Sequence, residues 1–276
     1  MSKLLAFDLD GTLVDHESRV PERHRAAIDR ARAAGHEIIL VTGRSWRGAE
    51  PVYRELGLTG PAICYLGALV VADGTGRILH HQPLAAQAWD SLKQLALVRG
   101  LAVTACVGPD QAVVEGELPG KDLMAFDTAY ATCAADDFAA WAQWNWYVQM
   151  TPDLSLCAGA PTMAAVYGER AVHTVLEAFP DGLPDTQFDL TDRVKEETVL
   201  HVWHRRVDKG QALAEYCRAR GIARADVIAF GDAVMDASMI QYAGLGVAMP
   251  WGDPRLQAVA DLVAAPDAVI ADLLDE

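Results

Sequence analysis

The sequence predicts an α/β protein: a three-layer core with a parallel sheet, interrupted by an inserted α+β domain. Three observations carry this. Strand and helix signals alternate through the first third of the chain, the pattern of a parallel sheet with right-handed crossovers. The alternation stops near Pro83 and resumes after His204, so both ends of the chain contribute to one core. The opening apolar run, Leu4-Leu5-Ala6-Phe7, leads into Asp8-Leu9-Asp10-Gly11-Thr12, as a buried strand does when its carboxyl end carries polar function. The expected division is residues 1–81 with 204–276 for the core and 82–203 for the insertion.

Taken in order, Leu4–Phe7 is a buried strand. Pro21 starts a helix with apolar positions at Ala27, Ile28 and Ala31, and Gly35 stops it, following the preference for proline first and glycine last. Glu37–Val41 is a second strand, Ser45 caps a helix running to about Leu56, and Pro61–Tyr65 is a third strand. Leu69–Ala72 and Arg77–His80 flank Asp73-Gly74-Thr75-Gly76, a hairpin signal. In the insertion, Ala86–Val98 reads as a helix, Leu101–Val107 and Ala112–Glu115 as strands, and Phe138–Trp146 as a tryptophan-rich helix. Thr162–Tyr167 is a strand, a helix follows from Glu169 to about Phe179, and Thr186–Leu190 pairs with Thr198–Trp203. This middle section is expected to form an antiparallel sheet. Beyond it, Lys209–Arg220 is a helix ended by Gly221, Asp226–Phe230 a buried strand, Met235–Tyr242 a helix and Leu245–Ala248 a short strand.

Composition excludes several functions. The chain has 276 residues and a formal net charge of −15, which argues against nucleic acid or an anionic membrane as partner. No apolar stretch reaches the roughly 20 residues needed to span a bilayer, and Asp8 and Asp10 interrupt any signal-peptide layout at the start. The five cysteines are scattered, with no Cys-x-x-Cys pair, so a reducing cytoplasm is the expected location. A monomer or homodimer is expected.

Four segments place polar groups at predicted strand ends. Asp8 and Asp10, two residues apart on a strand, share one face and repel unless a cation neutralises them or one is protonated. A hard divalent ion such as Mg²⁺ suits such oxygen ligands. Thr42-Gly43-Arg44 follows the second strand and precedes a helix, an arrangement that favours an anion. Lys209 opens a helix as a point charge for a phosphate. Gly231-Asp232 and Asp236 add two more carboxylates. Each segment alone has a plainer reading, as a solvated turn, a helix cap or a helix-start residue. Their order and shared placement at strand ends make an acidic metal pocket beside an anion pocket, which is what phosphoryl transfer onto a carboxylate requires.

Asp8-Leu9-Asp10-Gly11-Thr12, Val41-Thr42-Gly43-Arg44, Asp208-Lys209-Gly210 and the Asp232/Asp236 pair together resemble the motifs of the haloacid dehalogenase (HAD) superfamily. The position of the insertion resembles the Cof-type branch with a C2 cap. The resemblance implies a Rossmann-like core, Mg²⁺ as cofactor and a small phosphorylated metabolite, such as a sugar phosphate, as substrate. It implies Asp8 as nucleophile forming an aspartyl-phosphate, and Asp10 as general acid and base. Thr42, Gly43 and Lys209 would hold the phosphoryl group. The metal would be held by Asp8, the Asp10 carbonyl, Asp232 and Asp236. A sugar-phosphate phosphomutase and a catalytically weakened phosphate-binding or regulatory protein are the alternatives.

Three positions depart from that branch. Leu66, Met235 and the Pro250-Trp251 segment stand where it usually has asparagine, and leucine and methionine offer no amide donor. In the insertion, Trp141, Trp144, Trp146 and Tyr147 are expected in the core rather than against substrate. His201, His204, Arg205 and Arg206 are expected at a solvated hinge. Trp251 stands at a strand end, equally suited to lining the pocket and to packing.

Overall fold

The computed structural model describes residues 2–15, 18–109, 111–115, 149–151, 153–157, 159–194 and 197–265. The chain begins with β1 (Leu4–Phe7), α1 (Glu22–Ala33), β2 (Glu37–Val41), α2 (Trp46–Glu55), β3 (Ala62–Cys64), β4 (Leu69–Val71) and β5 (Ile78–His81). It continues through α3 (Ala86–Arg99), β6 (Val103–Val107), β7 (Gln111–Glu115), β8 (Gln149–Thr151), β9 (Met163–Tyr167), α4 (Glu169–Ala178), β10 (Thr186–Val194) and β11 (Glu197–His204). It ends with α5 (Lys209–Arg220), β12 (Val227–Gly231), α6 (Ala237–Tyr242), β13 (Leu245–Ala248), α7 (Pro254–Gln257) and β14 (Leu262–Val263). Two compact units result: Met1–His80 with Asp208–Glu276, and His81–Val207.

In the first unit the described strands form one sheet in the order β14-β13-β12-β1-β2-β3-β4-β5. From β14 to β3 every pairing is parallel, and β4 then returns antiparallel to β3. The central strand β1 lies between β2 and β12, with Leu4 opposite Glu37 on one side and Val227 on the other. Leu4 and Ala6 face a cluster that includes Leu213 and Cys217 of α5, Met239 and Ile240 of α6 and Leu256 of α7. Leu5 and Phe7, on the opposite face, are just as buried, and Phe7 stacks on Phe230 of β12 with ring centroids 4.6 Å apart. A strand buried on both faces reads as a continuous apolar run, as β1 does.

The second unit has its described strands in the order β10-β11-β9-β6-β7-β8. Its pairings are antiparallel except β7 with β8, which is parallel. Alternate residues on three strands (Val103 and Ala105, Ala164 and Val166, Leu200 and Val202) point into one cluster with Trp89 and Leu92 of α3 and Val172 and Val175 of α4. That is the period-two signature of a sheet with one face packed under helices.

Most elements lie where the sequence predicts them, and two differ in ways that matter. β1 stops at Phe7, so Asp10 stands beyond the strand in a tight turn in which the N–H groups of Thr12, Leu13 and Val14 all donate to the Leu9 carbonyl. The argument that Asp8 and Asp10 share a strand face therefore fails. The helix expected over Met235–Tyr242 is divided into a 3₁₀ turn, Val234–Asp236, and α6. The short elements β8, α7 and β14 went unread. The segment with Trp141, Trp144, Trp146 and Tyr147 lies outside the described residues. Among the described residues, no helix is long and apolar enough to cross a membrane.

Candidate active site

The site is built where β1 and β12 end beside the start of α5. The Asp8 N–H continues the ladder by donating to the Phe230 carbonyl at 3.0 Å. Lys209 is the first residue of α5, whose start is capped by the Asp208 side chain accepting from the Gln211 N–H at 2.8 Å. With its helix so fixed, the Lys209 ammonium is buried and donates to Asp8 Oδ1 at 2.7 Å and to Asp236 Oδ1 at 2.5 Å. The other Asp236 oxygen accepts from the N–H groups of Asp232 (3.0 Å) and Ala233 (2.9 Å), so Asp236 holds the loop after β12 in place. Gly231 makes room for this, since a Cβ there would stand 2.5 Å from the Asp236 Cβ. Thr12 donates its hydroxyl to Asp232 Oδ1 at 3.1 Å. Gly11, at φ 75°, lies so close to Asp232 that any Cβ would overlap the carboxylate.

Carboxylate oxygens of Asp8, Asp232 and Asp236 lie within 4.8 Å of one another. Three acids around one ammonium leave an excess of negative charge in a buried place. Burial drives the Asp8 carboxyl well above the usual carboxylate range; Lys209 opposes this, and Asp236, Asp10 and Asp232 reinforce it. Asp232 is pushed up to about 6, first by burial and then by Asp236. For Lys209, burial favours the neutral amine, but Asp236 and Asp8 outweigh it and hold the ammonium above its ordinary pKa. The donor set is hard, oxygen-only and under mutual repulsion, which fits a hard divalent cation.

Asp10 has its own partner. Its carboxylate is gripped by Arg44, with Nε donating to Oδ2 at 2.8 Å and Nη2 to Oδ1 at 2.6 Å. Arg44 is buried and also donates to Ser18 Oγ (2.9 Å) and the Gly48 carbonyl (3.2 Å). This two-pronged grip fixes the orientation of a half-exposed acid. Thr42, just beyond β2, is fully buried, its hydroxyl accepting from the Arg44 N–H at 3.1 Å. Among the described residues, no hydrogen bond joins Thr42 or Gly43 to the Asp8 cluster. The structure thus gathers Asp8, Lys209, Asp232 and Asp236 directly, places Asp10 near enough to act on the Asp8 charge while Arg44 holds its carboxylate, and leaves Thr42 and Gly43 at the neighbouring strand end.

Sequence reading assigned no role to Arg44, although its place after Thr42-Gly43 at a strand end was a readable signal. Thr12 was given no role of its own, and Trp251, read as equally suited to lining the pocket and to packing, instead donates its indole N–H to the Gly11 carbonyl. Leu66 is buried at φ 59°, a left-handed conformation that asparagine tolerates far better than leucine.

The match to the haloacid dehalogenase-like hydrolase family model spans residues 5–138 and 167–269. The chain belongs to the haloacid dehalogenase-like hydrolases. This HAD-like hydrolase is 30% identical over 275 residues to the pyridoxal phosphate phosphatase YbhA of Escherichia coli (strain K12), covering 95% of this chain and 93% of the relative. It is 25% identical to the 5-amino-6-(5-phospho-D-ribitylamino)uracil phosphatase YitU of Bacillus subtilis (strain 168), covering 95% and 92%. A crystal structure of a haloacid dehalogenase-like hydrolase from Bacteroides thetaiotaomicron matches its fold with a TM-score of 0.79 at 22% identity, covering 100% of this chain and 99% of that one. As a member of the Cof-type branch of the HAD superfamily, it is a phosphatase, a phosphoric monoester hydrolase.

Proposed function

We propose that this phosphatase hydrolyses the phosphate monoester of a small metabolite through a phosphoenzyme on Asp8, with Mg²⁺ as cofactor. Sugar phosphates are among the expected substrates, and the names of YbhA and YitU add pyridoxal phosphate and a phosphorylated ribitylaminouracil. The observation that carries the reading is the buried Asp8–Lys209–Asp236 chain beside Asp232, with one ammonium set against an excess of carboxylate.

An Asp8 carboxylate oxygen forms a bond to phosphorus as the ester P–O bond breaks. Asp10, oriented by Arg44, gives its proton to the departing oxygen. It then takes a proton from the water that attacks phosphorus and releases Asp8. Lys209 offsets the charge of the phosphoryl oxygens near the nucleophile. Thr42 and Gly43 supply a hydroxyl and a backbone N–H to the same oxygens. Asp8, Asp232, Asp236 and the Asp10 carbonyl would hold Mg²⁺, which when bound neutralises the charge of both the carboxylates and the phosphoryl group. The insertion at 82–203 is read as the C2-type cap domain.

Release of inorganic phosphate from a panel of these esters tests the reading. Wild-type protein with Mg²⁺ should release phosphate, Asp8→Asn should fall to the background rate while keeping the wild-type melting curve, and chelator should silence the wild type. Full turnover in Asp8→Asn would reject the nucleophile, and full turnover in chelator would reject the metal.

A further inference from the structure

Trp251 stands at the site without belonging to the acid cluster or the Asp10 grip. The residue is 54% exposed, yet its polar edge is engaged: Nε1–H donates to the Gly11 carbonyl at 2.6 Å. The turn that carries it is sewn to the backbone of β12 and the loop beyond. The Met249 N–H donates to the Gly231 carbonyl at 2.9 Å, and the Asp253 N–H to the Asp232 carbonyl at 2.7 Å. Between them Gly252 packs so tightly that a Cβ would lie 2.8 Å from the Asp232 carbonyl oxygen. The base of the indole is therefore fixed in the frame of Asp232.

The other end of the bond lies on the turn that carries Asp10. That turn is closed internally by three N–H groups converging on the Leu9 carbonyl, at 3.2, 2.9 and 3.0 Å. Toward Asp232 it is held by the Thr12 hydroxyl and by the Trp251 indole, one on each side of the peptide that follows Gly11. Among the atoms of the Trp251 side chain, the indole N–H alone can donate a hydrogen bond.

We propose that Trp251 is a positioning residue for the phosphatase reaction. Its indole N–H ties the Gly11 carbonyl to the Asp232 loop, and so holds the Asp10 turn in register with Asp8. This rests on the proposed roles of Asp8 and Asp10.

Two variants test it. Trp251→Phe keeps an aromatic ring and removes the donor, whereas Trp251→Gln restores an N–H at the same number of bonds from Cα. In metal-free protein, amide exchange over residues 9–14 should accelerate several-fold in the Phe variant and return toward wild type in the Gln variant. With Mg²⁺ and substrate, kcat should fall about tenfold in Trp251→Phe at unchanged KM and recover in Trp251→Gln. Wild-type exchange and kcat in the Phe variant would overturn the proposal. So would a Gln variant that recovers neither. Exchange that responds as expected, in a wild type that releases no phosphate from any ester, would uphold the tether and overturn the phosphatase reading instead.

Discussion

Lys209 in the first unit and His201 in the second are both buried, the latter together with His204 and contrary to the solvated hinge expected for them, yet Lys209 and His201 meet burial in opposite ways. Lys209 keeps its charge because Asp8 and Asp236 stand 2.7 and 2.5 Å away. His201, on β11, is driven by burial down to about 4 from an ordinary 6.5, so it sits neutral near pH 7. The first unit tolerates charge in its interior by setting opposite signs against each other. In the second, among the described residues, the His201 imidazole stays uncharged within the packed interior. Buried charge that is held rather than expelled marks the part of the molecule organised for chemistry.

The largest effect should come from Lys209→Met, which strands two buried carboxylates without a counter-charge. Breaking such a pair costs about 3–5 kcal/mol, so denaturant unfolding at pH 7.5 should shift by that much and phosphate release should be lost. A shift below about 1 kcal/mol would erase the contrast between the units. Next is the second unit's response to acid. The unfolded chain takes up a proton on His201 near pH 6.5, while the folded one resists until about pH 4. The stability this imidazole contributes is therefore complete above pH 6.5 and is lost as pH falls from there through 4. The gap corresponds to roughly 3 kcal/mol, and His201→Gln should flatten the pH dependence of unfolding by about that amount. The smallest effect is expected from Gly231→Ala. Its added methyl meets Asp236, so a stability loss of about 1–3 kcal/mol should accompany a fall in activity. A stable variant with wild-type turnover would show that Asp236 can shift without consequence.

The core was legible in the sequence because its strands are buried on both faces and its helices carry clear punctuation. β2 and α5 fall on their expected boundaries, and Gly35 and Gly221 stop their helices with positive φ. The Asp8, Lys209, Asp232 and Asp236 grouping was legible from strand-end placement. What stayed hidden depends on distance along the chain. Nothing local reports that Arg44 closes on Asp10, 34 positions away, or that the Trp251 indole reaches Gly11. The two-residue β14 and four-residue α7 carry too little pattern to be read. The Asp-x-Asp spacing suggested a shared strand face, but the strand ends at Phe7 and the chain turns around the Leu9 carbonyl, so the second acid is oriented by the Arg44 guanidinium and not by the strand.

The pairing of β1 with β12 joins Leu4 to Val227 and Phe7 to Phe230. During synthesis, the amino-terminal strand therefore waits for a neighbour made more than two hundred residues later. Such closure is entropically slow. It also means that Asp8, the proposed nucleophile, emerges from the ribosome long before Lys209, Asp232 and Asp236. A nascent or truncated chain holds Asp8 but not the ammonium and carboxylates that surround it, so the acid cluster assembles only when the strand and helices after Asp208 have been made and docked.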